Sequence, residues 1–526
     1  MSKNTRVARA ASRVSLAVLL SRALGLVREL VLAAVFGASA TMDAWVAAFR
    51  IPGMLRDLVA EGALSSAFIP TFSRVLTRDG RQQAWHLVNI LMSALTIGLG
   101  VLAILFFVFS DELVSVFVFG FGEVEGKIEL TSNLVKIISP FLLLVALASI
   151  AMGVLNTFDR FFLPAVTTAF FNLAIILSVL LLAPALENRG IPAIYAVGGG
   201  AVLGGALQLL VQLPSMRALG FRFHFVVDFK NSEFLRIATL IGPAIIGVGA
   251  TQMAVMVNTM LASTLGDGSV SWLNFAFRII YLPVGLFGVA VGIVNLRDVS
   301  VHAARKNLDA LKKTVADSLK MVLVLAIPST VGIIVLANPI VRVVFERGEF
   351  SAFDTQQTAN ALMLYCLGLV AYSCVKVYVP TFYALSDTKT PVRISVATAL
   401  LHIALNLVFI LVFFPEGYEY LGLALGTAIA LIVNLIFLAS RFSRKLGSFR
   451  DLGVMRSFVK ASLASMVMGI SVWLVYSLTV SLAVTFRGEV AGLIVSIAAG
   501  VVIYLVMGRL LGIEELGLLW RRQNRR

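Results

Sequence analysis

The sequence predicts an all-α polytopic membrane protein. Of 526 residues, 59% are hydrophobic and only 13% are charged, about half the roughly 25% charge of a soluble chain. Mean hydropathy is +0.95. Apolar stretches of spanning length recur from end to end, and the segments between them alternate between basic and acidic.

A spanning helix needs about 20 apolar residues, and about fourteen stretches meet that criterion. They lie near 14–36, 41–72, 87–110, 132–155, 161–185, 192–215, 235–264, 269–296, 317–338, 355–385, 392–414, 420–440, 458–481 and 489–511. The first is too long for a signal-peptide core and lacks a small-residue cleavage site, so it reads as a retained helix. No intervening loop is long enough for a folded extramembrane domain.

One set of connecting segments carries Arg6, Arg9, Arg13, Arg74, Arg78, Arg217, Arg222, Lys312, Lys313, Arg444, Lys445 and the tail Arg521–Arg526. The opposite set carries Asp111, Glu112, Glu123, Glu125, Glu187, Asp267, Glu346, Glu349 and Glu416. By the positive-inside rule the basic side is cytoplasmic, and both termini are inside. The net charge of +15 therefore reads as topology. It does not read as nucleic-acid binding, which would interleave aromatics with basic residues in an exposed domain.

An internal repeat divides the chain. LAAVFGASATMDAWVAAFRIP (32–52) resembles LASTLGDGSVSWLNFAFRIIYLP (261–283), so Arg50 and Arg278 correspond. A weaker echo links DRFFLPAV (159–166) with DTKTPVRI (387–394). Six helices separate the first pair, an even number, which makes the repeats parallel about an axis normal to the membrane. The expected organisation is an N-lobe at 1–220, a C-lobe at 221–450, each of six helices, and two further helices with a basic tail at 451–526.

Charges concentrate where apolar helices should exclude them. Residues 20–62 hold Arg22, Arg28, Glu29, Asp43, Arg50, Arg56, Asp57 and Glu61. A charge at mid-bilayer costs roughly 2.5–3.5 kcal/mol on insertion scales, so such residues face one another or a wet cavity. Asp43, Arg50 and Asp57 are seven apart and share a stripe, with Glu61 four beyond. Arg22 and Glu29 share a similar stripe. The local acids do not cancel all the arginines, and a guanidinium suits bidentate binding of phosphate or carboxylate. An arginine-rich cavity for an anionic substrate is the reading that follows. Lys376 is a further intramembrane cation, placed either for function or to snorkel to the interface.

Other chemistry is missing from the sequence. Gly288 and Gly292, and the run GGGAVLGG (198–205), read as helix packing; no GK[ST] follows to make a phosphate loop. His86, His224, His302 and His402 have no metal spacing. Cys366 and Cys374 read as buried small hydrophobes. A nucleotide-driven pump and a membrane glycosyltransferase are disfavoured, and no cofactor is expected; a membrane potential or ion gradient is left as the energy source.

The N-terminal pattern SRALGLVRE…FGAS…MDAWVAAFRIPGMLRDLVAEGALSSAFIP resembles the signature of the MurJ (MviN) lipid II flippase family, within the multidrug/oligosaccharidyl-lipid/polysaccharide exporter superfamily. Later segments agree: GVLNTFDRFFLPA, LIGPAIIGV, ERGEFSAFDT and YALSDTKTPV. The resemblance covers nearly the whole chain and implies two six-helix lobes around a cationic cavity, plus two helices forming a groove for a polyprenyl tail. The implied substrate is a polyprenyl diphosphate carrying the disaccharide-pentapeptide of peptidoglycan, in a bacterial inner membrane, with peptidoglycan-synthesis proteins as further partners. By motif, the cavity arginines are Arg22, Arg28, Arg56 and Arg278, with the acid on Asp43 and the AEGA glutamate at Glu61. Phe277, before the last arginine, and VNLRDVS (294–300) depart from the family pattern. Where some members bind sodium through acids, this chain has Asn258, His402 and Asn406, with no carboxylate to balance the ion. The rivals to this reading are a flippase for another polyprenyl-diphosphate glycan, a superfamily drug or ion antiporter, and a non-transporting scaffold for cell-wall enzymes.

Overall fold

The computed structural model describes residues 3–56, 64–481 and 485–521. The chain forms two compact units, residues 1–271 with 347–350, and residues 272–346 with 351–526. The division falls inside one helix, between Ser271 and Trp272.

The first unit contains α1 (Lys3–Phe36), α2 (Ala40–Arg56), α3 (Leu64–Arg78), α4 (Gly80–Val108), α5 (Ser110–Phe117), α6 (Lys127–Ile138), α7 (Phe141–Thr157), α8 (Phe162–Glu187), α9 (Tyr195–Leu210), α10 (Leu213–Ala218) and α11 (Ser232–Ala262). Within it α1 packs along α8, α8 against α9, α2 against α6 and α7, and α11 against α3. An aromatic core of Phe68, Phe72, Trp85, Phe158 and Phe221 joins α3, α4, α7 and the segment after α10. Arg74 and Arg78 on α3 pair with Glu233 at the start of α11.

The turn from α1 to α2 explains two of the motifs. Gly37 has φ +61° and Gly348 has φ +55°. A Cβ on Gly37 would lie 2.5 Å from the Glu349 carbonyl oxygen, and one on Gly348 would lie 2.1 Å from that of Ala34. Glu349 N donates to Ala34 O at 3.0 Å. The strings FGAS and ERGEF therefore meet backbone to backbone, and only glycine supplies both the left-handed turn and the missing side chain.

The second unit holds most of α12 (Ser269–Pro283), a π-helical turn at Val284–Val289, then α13 (Ala290–Ala304), α14 (Leu308–Val335), α15 (Ala337–Phe345), α16 (Ala352–Cys366), α17 (Leu369–Ala384), α18 (Lys389–Val408), α19 (Glu419–Leu446), α20 (Val454–Ser481), α21 (Phe486–Leu510) and α22 (Glu514–Arg521). Here α20 packs on α21 and α14, α18 on α19, and α13 on α14 and α17. Cys366 and Cys374 are both buried and free.

The fold class expected from the sequence is what the structure has. Among the described residues, ten helices are long and apolar enough to cross a membrane, and the pair α16–α17, bent by 46°, makes an eleventh. The expected stretches 14–36, 41–72 and 235–264 also lie on helices: α1, α2 with α3, and α11. Residues 57–63 of the second stretch lie outside the described residues. Large apolar side chains face outward throughout, Leu181 at 68% and Leu411 at 78% exposure among them. Water would not tolerate so extensive an apolar surface, whereas lipid does.

Candidate functional site

In the first unit the site is built on the α1–α8 pair. Asn172 of α8 is 5% exposed. Its Oδ1 accepts from Arg28 Nη1 at 3.0 Å, and its Nδ2 donates to the Ser21 carbonyl at 3.1 Å. Gly25 lies between these two positions on α1, and a Cβ there would sit 3.5 Å from Asn172 Nδ2. The amide therefore packs over Gly25 at ordinary van der Waals distance.

The other arm of the Arg28 guanidinium pairs with Glu29, which is buried. The guanidinium carbon lies 5.8 Å from the Phe171 ring centroid. Its Nε is buried and has no hydrogen-bond partner among the described residues. Arg28 is thus fixed by an amide, a carboxylate and an aromatic face, with one donor uncommitted.

Arg22, a turn and a half earlier, is exposed and has no hydrogen-bond or ion-pair partner among the described residues. It lines a cavity of about 470 Å³ together with Ser21, Asn156, Thr168 and the apolar Val18 and Phe161. An exposed guanidinium beside hydroxyl and amide groups is equipped to take an anionic oxygen.

Asp43 is not among these arginines. It is 1% exposed, on α2, and Lys127 of α6 donates to its Oδ2 at 3.1 Å. Gly268 N donates to the same oxygen at 2.8 Å, while Ser271 N (2.8 Å) and Ser271 Oγ (2.6 Å) donate to Oδ1. The carboxylate therefore closes the N-terminus of α12, where backbone N–H groups lack helical acceptors. Lys127 also reaches Asp267 Oδ1 at 2.6 Å and lies 4.1 Å from the Phe121 ring centroid.

Arg50 and Arg56 lie on α2, both partly buried. Asp57 and Glu61 fall outside the described residues. Arg278 belongs to α12 in the second unit and is exposed. The arginine set is thus divided: Arg22 and Arg28 share one helix pair, Arg50 and Arg56 a second helix, and Arg278 the other unit.

Of the positions considered for an ion, Asn258 is in the first unit and His402 and Asn406 are in the second. His402 Nε2 lies 3.0 Å from Thr427 Oγ1 and 3.2 Å from Asn406 Nδ2. His402 and Asn406 Nδ2 engage one another, and the set supplies no carboxylate to balance a hard cation. No group of three or more His, Cys, Asp or Glu side chains among the described residues could hold a metal.

Two residues escaped the sequence reading, Asn172 and Lys127. A neutral amide in an apolar helix carries no charge signal, and Lys127 sits in an acid-rich segment, EVEGKIE (123–129).

A family profile described as lipid II flippase MurJ matches residues 32–490. The chain is 34% identical to a probable lipid II flippase MurJ of Vibrio cholerae serotype O1, over 81% of each chain. It is 32% identical to the lipid II flippase MurJ of Burkholderia cenocepacia, over 88% of this chain and 89% of that one. A solved structure of lipid II flippase MurJ in an inward closed conformation superposes with a TM-score of 0.78 at 28% identity, covering 97% of this chain and 99% of that one. An inward-facing multidrug MATE transporter shares the fold, with a TM-score of 0.65 at 13% identity, covering 84% and 100%.

Proposed function

The chain belongs to the MurJ family of lipid II flippases, and from that premise we propose that it moves lipid II between leaflets by alternating access, with Arg22, Arg28, Arg56 and Arg278 as ligands for the anionic headgroup. It is a multi-pass membrane transporter, not an enzyme. The diphosphate binds the guanidinium groups, while the polyprenyl tail stays in the bilayer against the last two spanning helices, α20 and α21. The basic connecting segments favour an inner-membrane orientation with both termini in the cytoplasm. The headgroup, still attached to its lipid, is then presented to the peptidoglycan-synthesis machinery outside.

The observation that carries this reading is the contrast between Arg28 and Arg22. Arg28 is fixed by Asn172 and Glu29 with a donor to spare. Arg22 lines the adjoining cavity with no partner of its own among the described residues. Arginines kept only to brace a bundle would be matched by acids; these two have one acid between them. Glu29 holds Arg28 in place and limits the excess charge, and Asp43 acts elsewhere, at the start of α12.

The energy source we propose is the membrane potential. Each elementary charge moved through the full field is worth about 2.3 kcal/mol per 100 mV. An empty cationic cavity is drawn toward a negative interior, and bound diphosphate cancels that pull. Collapsing the potential at fixed ion gradients should slow turnover; unchanged turnover would exclude this coupling.

The direct test is lipid II translocation in proteoliposomes with the wild type and Arg28→Ala, after both are shown to insert and fold. Loss in the mutant alone supports the arginine site, and equal translocation removes Arg28 from it. If neither moves lipid II while a known flippase does in the same assay, the lipid II reading fails.

A further inference from the structure

The second unit contains a cation that the arginine site does not use. Lys376 lies in the middle of α17, eight residues from its C-terminal end at Ala384, or about 12 Å along the axis. Its ammonium lies 4.8 Å from the ring centroid of Tyr372, one turn toward the N-terminus. The side chain therefore bends away from the end of α17 instead of snorkelling past it. Among the described residues Lys376 has no ion-pair partner. An intramembrane charge without a counter-ion is costly and marks a place where an anion arrives.

The surroundings are built for more than a bare ion. Tyr372 and Tyr281 of α12 have ring centroids 6.5 Å apart, and Tyr281 is 48% exposed. Arg278 lies three residues before Tyr281, on the same face of α12. Two glycines bring these helices together. A Cβ on Gly288 would lie 2.9 Å from Ser373 Cα, and one on Gly292 would lie 2.4 Å from the Lys376 carbonyl oxygen. The backbone beyond Pro283 thus runs directly against α17, which sets Tyr281 beside Tyr372. Lys376, Tyr372 and Tyr281 thus lie side by side, with Arg278 about one turn before Tyr281 on α12.

We propose that Arg278, Tyr281, Tyr372 and Lys376 form a headgroup subsite in the second unit. Lys376 takes an anionic oxygen group of the translocated lipid, a carboxylate or a phosphate, and the phenol rings take the adjoining sugar. The apolar C–H face of a sugar packs on an aromatic face, and phenol hydroxyls bond its hydroxyls. The subsite rests on the flippase reading and gives the second unit a contact of its own with the headgroup.

The test is binding to the full-length protein in nanodiscs, with lipid II and with bare undecaprenyl diphosphate as probes. Lys376→Met should weaken lipid II binding about tenfold, and Lys376→Arg should restore it, as expected for a charge-assisted bond. The melting temperature of Lys376→Met should fall little, because the ammonium gives up its stack on the Tyr372 ring but no ion pair; a lysine that merely braces α17 would give a marked fall. Loss on lipid II with undecaprenyl diphosphate unaffected assigns the anion to a peptide carboxylate. Equal loss on both assigns it to phosphate, and either result supports the subsite. Unchanged lipid II binding in Lys376→Met overturns it. Should that variant fail to fold, Lys376→Gln and Tyr281→Leu apply the same criterion. If the wild type itself fails to bind lipid II where a known flippase succeeds, the functional reading falls, and the subsite with it.

Discussion

Lys127 Nζ lies 3.1 Å from Asp43 Oδ2, and the two residues are 4% and 1% exposed. The pair joins α6 to α2 and, through Gly268 and Ser271, to the start of α12. Removing one member of a buried pair strands the other, at about 3–5 kcal/mol. Lys127→Met should lower the melting temperature in detergent markedly. The double variant Lys127→Met, Asp43→Asn should lose less than the sum of the single losses. Strict additivity would mean that the two side chains act independently.

Asn172 spends both ends of its amide on α1, at Arg28 and at the Ser21 carbonyl. A hydrogen bond to a charged group contributes about 1.5–3 kcal/mol. Asn172→Ala should therefore cut lipid II translocation by about tenfold or more, through loss of Arg28 placement. Asn172→Gln should not restore it, because the longer side chain displaces the amide from Gly25. Wild-type translocation in Asn172→Ala would show that Glu29 alone positions Arg28.

How much of this was legible in the sequence follows from what each signal measures. The spans were readable because lipid tolerates apolar residues over a fixed length and excludes charge. Arg28 and Glu29 stood out for the same reason, and they pair. Asp43 shares a stripe with Arg50, and the family motif also puts it with the cavity arginines. Helical periodicity reports which residues share a face but not which distant element packs against it. The partners of Asp43 come from 84, 225 and 228 residues away. Gly348 was visible only as a letter in a motif; its contact with Ala34 needed the fold.

That contact separates two strained glycines. Gly348 and Gly417 both have positive φ, +55° and +86°. A Cβ on Gly348 meets the Ala34 carbonyl oxygen at 2.1 Å, whereas one on Gly417 meets nothing within 4 Å. The left-handed conformation costs an L-residue roughly 1–2 kcal/mol in either place. Gly348→Ala must add displacement of the α1–α2 turn, so its melting temperature should fall well below that of Gly417→Ala. Equal losses would mean that the turn yields at no cost.

Asp387, in the turn before α18, makes a pH-dependent contact with Lys445 of α19. Its carboxyl is raised by partial burial, but Lys445 at 2.9 Å and the amide and hydroxyl of Thr390 outweigh this and hold it below its ordinary value of 3.8. A depressed carboxyl pKa means that the folded state binds the proton less tightly than the unfolded one. Its contribution to stability is therefore complete above 3.8 and lost as pH falls through the lower folded value. Lys445→Met removes the ion pair and should lower the melting temperature modestly at neutral pH, since the lysine side chain is 43% exposed. The gap between variant and wild type should close as both are taken to strongly acidic pH. A gap that stays constant across that range would show that Lys445 contributes by packing along α19, with no part in the charge pair.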